Sequence, residues 1–71
     1  MPIVSVKIAK GRTIEQKRNL VQAITDSVVS TLDVKKEWIT VIIEEFDREN
    51  WATEGELHID KFGIGCGKET N

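Results

Sequence analysis

Apolar side chains alternate with other residues at the start of the chain, then recur at a longer spacing, then alternate again. In residues 2–8 (PIVSVKI), Val4, Val6 and Ile8 fall on one face and Ile3, Ser5 and Lys7 on the other. That period of two predicts a β-strand. Pro2 fits its first position, where a missing N–H loses no ladder bond. Lys10-Gly11-Arg12 reads as a turn. Thr13-Ile14-Glu15-Gln16 has the form of a capping box, with Thr13 at N-cap and Gln16 at N3. Beyond it, Leu20, Val21, Ile24, Val28 and Leu32 recur at helical spacing, with Lys17, Arg18, Gln22 and Asp26 mostly off that stripe. The pattern predicts a helix of about nineteen residues, about 28 Å long, with one apolar face.

Lys35-Lys36-Glu37 reads as a basic turn, and residues 38–45 (WITVIIEE) as a second strand. Ile39, Val41 and Ile43 share one face of it, and Trp38, Thr40 and Ile42 the other. Both faces are largely apolar, as in a strand covered on both sides. One helix covers one side, so a second subunit is expected on the other. Strand–helix–strand implies a right-handed crossover and a parallel pair. Residues 47–55 read as a polar loop carrying Trp51, and Glu56-Leu57-His58-Ile59 as a short third strand or hairpin arm. Residues 60–71 form a Gly-rich tail. The expected fold class is α/β: a β-α-β subunit with a two-stranded parallel sheet, one long helix and a short C-terminal hairpin or strand. It occupies a single domain, residues 1–71, and assembles into oligomers.

Composition supports the oligomer. A chain of 71 residues buries little core alone, and one cysteine, Cys66, makes no internal disulfide. Cys66 and His58 do not have metal-ligand spacing, so no metal is expected. The net charge of −2 gives no basic footprint for nucleic acid. No apolar run is long enough to span a membrane, and Lys7 and Lys10 interrupt any signal-peptide pattern. A cytoplasmic protein is the expectation.

Candidate chemistry begins at Pro2. Removal of Met1 converts an amide nitrogen, which has no useful basicity, into a free secondary amine on a rigid ring. Burial or a nearby cation pushes the pKa of such an amine toward neutrality, where a general base works best.

Pro2-Ile3, Gly11-Arg12, Glu15-Gln16-Lys17, Val41-Ile42-Ile43-Glu44-Glu45, Trp51 and Gly55-Glu56-Leu57, in this order and spacing, resemble the 4-oxalocrotonate tautomerases. The resemblance runs over about residues 2–59. It implies a β-α-β subunit assembled as a homo-oligomer, a hexamer built as a trimer of dimers, with no cofactor. It implies Pro2 as general acid/base, Arg12 holding a carboxylate of a small substrate, and Trp51 lining the pocket, with Ile3, Ala9 and Ile39 as further wall residues. The implied reaction is keto–enol or dienol–enone isomerisation of a small unsaturated 2-hydroxy or 2-oxo acid such as 2-hydroxymuconate.

One departure from the family pattern stands out. The family's second arginine, on the second strand, matches Thr40, which has a hydroxyl and no charge. Thr40 remains a candidate substrate contact, with Lys36 and Arg48 as candidate stand-in cations. A carboxylate at Glu54, one place from the position that activates water in some relatives, keeps a hydratase or dehalogenase as an alternative. A non-catalytic oligomeric interaction protein on the same scaffold is the other alternative. His58, between Leu57 and Ile59, reads as a surface or interface residue, and Cys66 as a free tail thiol.

Overall fold

A computed structural model describes residues 1–62 of the chain. The expectations for Cys66 and for the tail beyond Phe62 lie outside the described residues. The elements run β1 (Ile3–Ala9), α1 (Ile14–Leu32), a 3-10 turn (Lys36–Trp38), β2 (Thr40–Phe46), a second 3-10 turn (Arg48–Asn50), β3 (Ala52–Thr53), β4 (Glu56–Leu57) and α2 (His58–Phe62). β1 and β2 pair in a two-stranded sheet. The Thr40 N–H donates to the Pro2 carbonyl at 3.1 Å, and the Lys10 N–H donates to the Phe46 carbonyl at 2.9 Å. Partners advance together along both strands, so the pair is parallel, as strand–helix–strand connectivity requires.

The chain divides into two compact units. The first contains Met1–Val6 and Thr13–Ile43. Its helix begins as the sequence dictates. The Thr13 hydroxyl accepts from the Gln16 N–H at 3.0 Å, and the Gln16 side chain accepts from the Thr13 N–H at 2.9 Å. Two donors that the first helical turn leaves orphaned are thereby satisfied. Leu20, Val21, Ile24 and Val28 are half-buried, as the stripe predicts. Leu32, its last member, is instead 57 % exposed. The helix ends there: Asp33 adopts φ 56°, and its N–H returns to the Val29 carbonyl. Val4 and Val6 are half-buried while Ile3 and Ser5 are exposed, which is the alternation read from the sequence.

The second strand starts later than the pattern suggests. The Trp38 and Ile39 N–H groups close onto the Lys35 and Lys36 carbonyls, forming a 3-10 turn before the ladder begins at Thr40. Trp38 therefore belongs to the turn, where the Lys35 ammonium lies 5.5 Å from its ring. From there Val41 and Ile43 are half-buried, and Thr40 and Ile42 exposed.

Among the described residues, the second unit contains Lys7–Arg12 and residues 44–62. β3 and β4 form a hairpin, with Ala52 opposite Leu57 and Thr53 opposite Glu56. The connecting residues, Glu54 and Gly55, have φ of 58° and 80°. Positive φ at both central positions is the type I′ turn, whose twist matches that of the flanking strands. The hairpin arm expected over 56–59 is thus present, but only Glu56-Leu57 are strand. His58 and Ile59 open α2, which packs against the Arg48–Asn50 turn. Among the described residues, no helix is long and apolar enough to cross a membrane.

Candidate active site

Short elements of the second unit converge on a cavity of about 200 Å³. The end of β1 supplies Lys7, Ile8 and Ala9. The following turn contains Gly11 at φ 125°, a conformation that a residue with a side chain rarely adopts, and delivers Arg12. Arg48, Trp51 and His58 complete the lining.

Trp51 is fixed from several directions. Its N–H donates to the Arg48 carbonyl, and its own carbonyl accepts from the His58 N–H at 2.8 Å. Its ring meets Phe46 at 5.9 Å, nearly edge-on, and His58 at 5.8 Å. His58 meets Phe62 edge-on at 5.0 Å. Such offset and edge-to-face contacts contribute about 0.5–1.5 kcal/mol each beyond simple burial. His58 Nε2 also lies 3.1 Å from Thr53 Oγ1.

The charges at this site are unequally partnered. Lys7 forms an ion pair with Glu44 at 2.9 Å. Lys10, in the adjoining turn, pairs with Asp47 at 3.2 Å. The lining carries three cationic side chains, Lys7, Arg12 and Arg48, and none of its described residues is Asp or Glu. Arg48 is the one buried residue among the described residues, 8 % exposed, and its Nε has no hydrogen-bond partner.

The structure brings Arg12 and Trp51 together in this cavity with Ala9, one of the expected wall residues. Pro2 and Thr40 are joined by the backbone hydrogen bond at the start of the sheet, in the other unit, which also holds Ile3 and Ile39. Of the two stand-in cations, Lys36 lies in the exposed turn before β2, while Arg48 lines the cavity. Glu54 is 81 % exposed at its side chain and pairs with Lys61 at 3.2 Å, so the hairpin turn holds this carboxylate in solvent. Lys7, Ile8 and His58 were not expected as lining residues. The alternation Leu57-His58-Ile59 reads as strand, whereas His58 opens α2. The Glu54-Gly55 turn is the signal that places the short strand's end before it. Among the described residues, no cluster of three or more His, Cys, Asp and Glu side chains is arranged to hold a metal ion.

The comparison with known proteins agrees with the fold. The model of the tautomerase enzyme family matches residues 2–61. The 2-hydroxymuconate tautomerase of Bacillus subtilis strain 168 is 47 % identical over 55 residues, covering 78 % of this chain and 89 % of that protein. A 4-oxalocrotonate tautomerase isozyme structure from Methylibium petroleiphilum superimposes with a TM-score of 0.83 at 40 % identity, covering 84 % of this chain and 94 % of its own. A heterohexamer 4-oxalocrotonate tautomerase from Chloroflexus aurantiacus J-10-fl superimposes with a TM-score of 0.82 at 25 % identity, covering 84 % and 97 % of the two chains. The β-α-β architecture, the capped helix and the family match over residues 2–61 lead to one conclusion: the chain belongs to the tautomerase family and is an isomerase of the 4-oxalocrotonate tautomerase type.

Proposed function

We propose that this isomerase interconverts the enol and keto forms of a small unsaturated 2-hydroxy or 2-oxo acid, with 2-hydroxymuconate as the model substrate. The observation that carries this reading is the cavity shared by Arg12 and Trp51. A guanidinium beside an apolar ring system suits a conjugated carboxylate: the fork orients the carboxylate, and the rings exclude water around the carbon chain. The cavity volume of about 200 Å³ lies below the range of drug-sized ligand sites, which favours a small acid. The relative from Bacillus subtilis, whose name specifies 2-hydroxymuconate, supports the same substrate class.

Pro2 is the general acid/base in this mechanism, once Met1 is removed. Met1 is 89 % exposed, open to an aminopeptidase. The freed amine takes a proton from the enol oxygen and returns one to the chain carbon, so one group serves both transfers and no cofactor is needed. Arg12 holds the carboxylate in a fixed orientation, Trp51 keeps the pocket apolar, and Thr40 offers a neutral hydroxyl where other family members carry charge. The enzyme acts as a homohexamer in the cytoplasm. Exposed Ile3 and Ile42 on the outward face of the sheet support assembly, since no apolar side chain is fully buried among the described residues.

The test is ketonisation of 2-hydroxymuconate, followed by ultraviolet absorbance, on protein whose mass confirms loss of Met1, beside Pro2→Ala. Turnover that collapses in the variant supports the mechanism. Equal turnover in both removes Pro2 from it, and no turnover in either favours the non-catalytic interaction protein. Sedimentation that finds a monomer contradicts the assembly.

A further inference from the structure

The register of the hairpin sets three side chains on one face. Ala52 pairs with Leu57 and Thr53 with Glu56. Continued by one step, the same register sets Trp51 opposite His58, and the His58 N–H donates to the Trp51 carbonyl at 2.8 Å. Side chains two apart on a strand share a face, so Thr53 stands on the face that carries Trp51. For His58, Trp51 is then the direct cross-strand neighbour and Thr53 the diagonal one, both within reach of a ring. The side chain makes both contacts: the imidazole centroid lies 5.8 Å from the indole, and its Nε2 lies 3.1 Å from Thr53 Oγ1. Phe62 meets the imidazole edge-on at 5.0 Å. The hydroxyl suits either tautomer, donating to a bare Nε2 or accepting from a protonated one.

We propose that Thr53 and His58 are positioning residues for the proposed reaction: the hydroxyl fixes the imidazole, and the imidazole holds the Trp51 indole in the orientation in which it lines the cavity. This rests on the assignment of that cavity as the substrate site. The wall needs such support. Trp51 is half-buried, and its backbone hydrogen bonds to Arg48 and His58 fix the main chain but leave the two side-chain torsions free. Contacts with two rings, Phe46 and His58, set those torsions. A phenyl ring offers no hydrogen bond, so His58 is the contact that a hydrogen bond anchors. The Glu54-Gly55 turn fixes the register on which the arrangement depends, since a one-residue slip sends side chains to the opposite face. An indole that swings away admits water to the substrate's carbon chain. That weakens binding of ground state and transition state alike, which raises KM and spares kcat.

The experiment removes the hydroxyl while keeping the branched shape of the side chain. Thr53 is exposed, so Thr53→Val leaves no buried polar group unpaired and gives folding no reason to suffer. In a Trp38→Phe background of the Met1-free protein, Trp51 is the single tryptophan, and its time-resolved fluorescence anisotropy reads the freedom of the indole. Thr53→Val and His58→Phe are each expected to enlarge the fast depolarisation. Each is also expected to raise KM for 2-hydroxymuconate by about threefold or more, with kcat within about twofold, while Thr53→Ser matches the parent. The double variant is expected to be within about twofold of either single one, because the two residues act as a unit. An indole as rigid in Thr53→Val as in the parent overturns the proposal. So does an unchanged KM when the indole is freed, a loss that Thr53→Ser shares, or full additivity of the two substitutions. Should His58→Phe fail to fold, the contrast between Thr53→Val and Thr53→Ser decides alone. Because anisotropy needs no turnover, a Thr53-dependent hold on the indole in a protein that does not ketonise 2-hydroxymuconate upholds the positioning of Trp51 and rejects the tautomerase mechanism. Turnover with an indole that ignores Thr53 does the reverse.

Discussion

Each of the two units of this chain is built on different physics. The first relies on repetition: a 19-residue helix with an apolar stripe and a capping box, and strands whose side chains alternate. The second relies on local chemistry: a left-handed glycine, a 3-10 turn, a two-residue hairpin and a row of aromatic contacts. The first unit carries Pro2 at a strand start, and the second gathers the cations and rings of the cavity. The first unit states its structure many times over along the chain, whereas the cavity draws one residue at a time from short segments.

Substitutions sharpen this contrast. The largest effect is expected for Pro2→Ala. kcat/KM for an enol acid falls by about 10²-fold or more, the usual scale of general acid–base catalysis, while the thermal unfolding midpoint at fixed protein concentration stays unchanged. The backbone carbonyl that binds the Thr40 N–H survives the substitution, so folding has no reason to suffer. Next is Arg12→Ala. Loss of a charge-assisted contact of about 1.5–3 kcal/mol lowers kcat/KM for carboxylate substrates roughly ten- to a hundredfold. An unchanged kcat/KM would remove Arg12 from the site.

Thr13→Ala reverses the pattern of those two. It removes the cap at the start of α1 and is expected to lower stability by about 1 kcal/mol in denaturant titration, with kcat/KM preserved. A comparable loss of activity would contradict a purely stabilising role for Thr13. The smallest effect is expected for Glu54→Asn. Asn accepts the left-handed conformation more readily than Glu, and Asn-Gly is the favoured type I′ pair, so stability rises by a few tenths of a kcal/mol, roughly. The Lys61 ion pair that is lost is highly exposed on the Glu54 side and contributes little against this gain.

The same contrast explains what the sequence reveals. α1 was legible to the residue because Thr13, Gln16 and the stripe from Leu20 to Val28 each state the same structure independently. The alternation of Val4 and Val6 against Ile3 and Ser5 placed the faces of β1 correctly. Trp38 was misplaced because an alternating pattern continues through a 3-10 turn whose hydrogen bonds leave no mark on hydropathy. His58 was misplaced for the same reason, since three residues are too few for periodicity to distinguish strand from helix. Arg12 and Trp51 are named by resemblance, and the structure places both in one cavity. The burial of Arg48 was not legible, because an arginine in a polar loop has every appearance of a solvated residue.

The central claim is that a free prolyl amine moves the proton. The most direct measurement compares two preparations of the unaltered sequence, one with Met1 removed and one with Met1 retained, both verified by mass, in the ketonisation of 2-hydroxymuconate. All side chains from Pro2 onward are identical in the two; retained Met1 makes the Pro2 nitrogen an amide and adds one residue in front of it. The account expects kcat/KM to be about 10²- to 10⁴-fold higher in the Met1-free protein. Equal rates in the two preparations would contradict it.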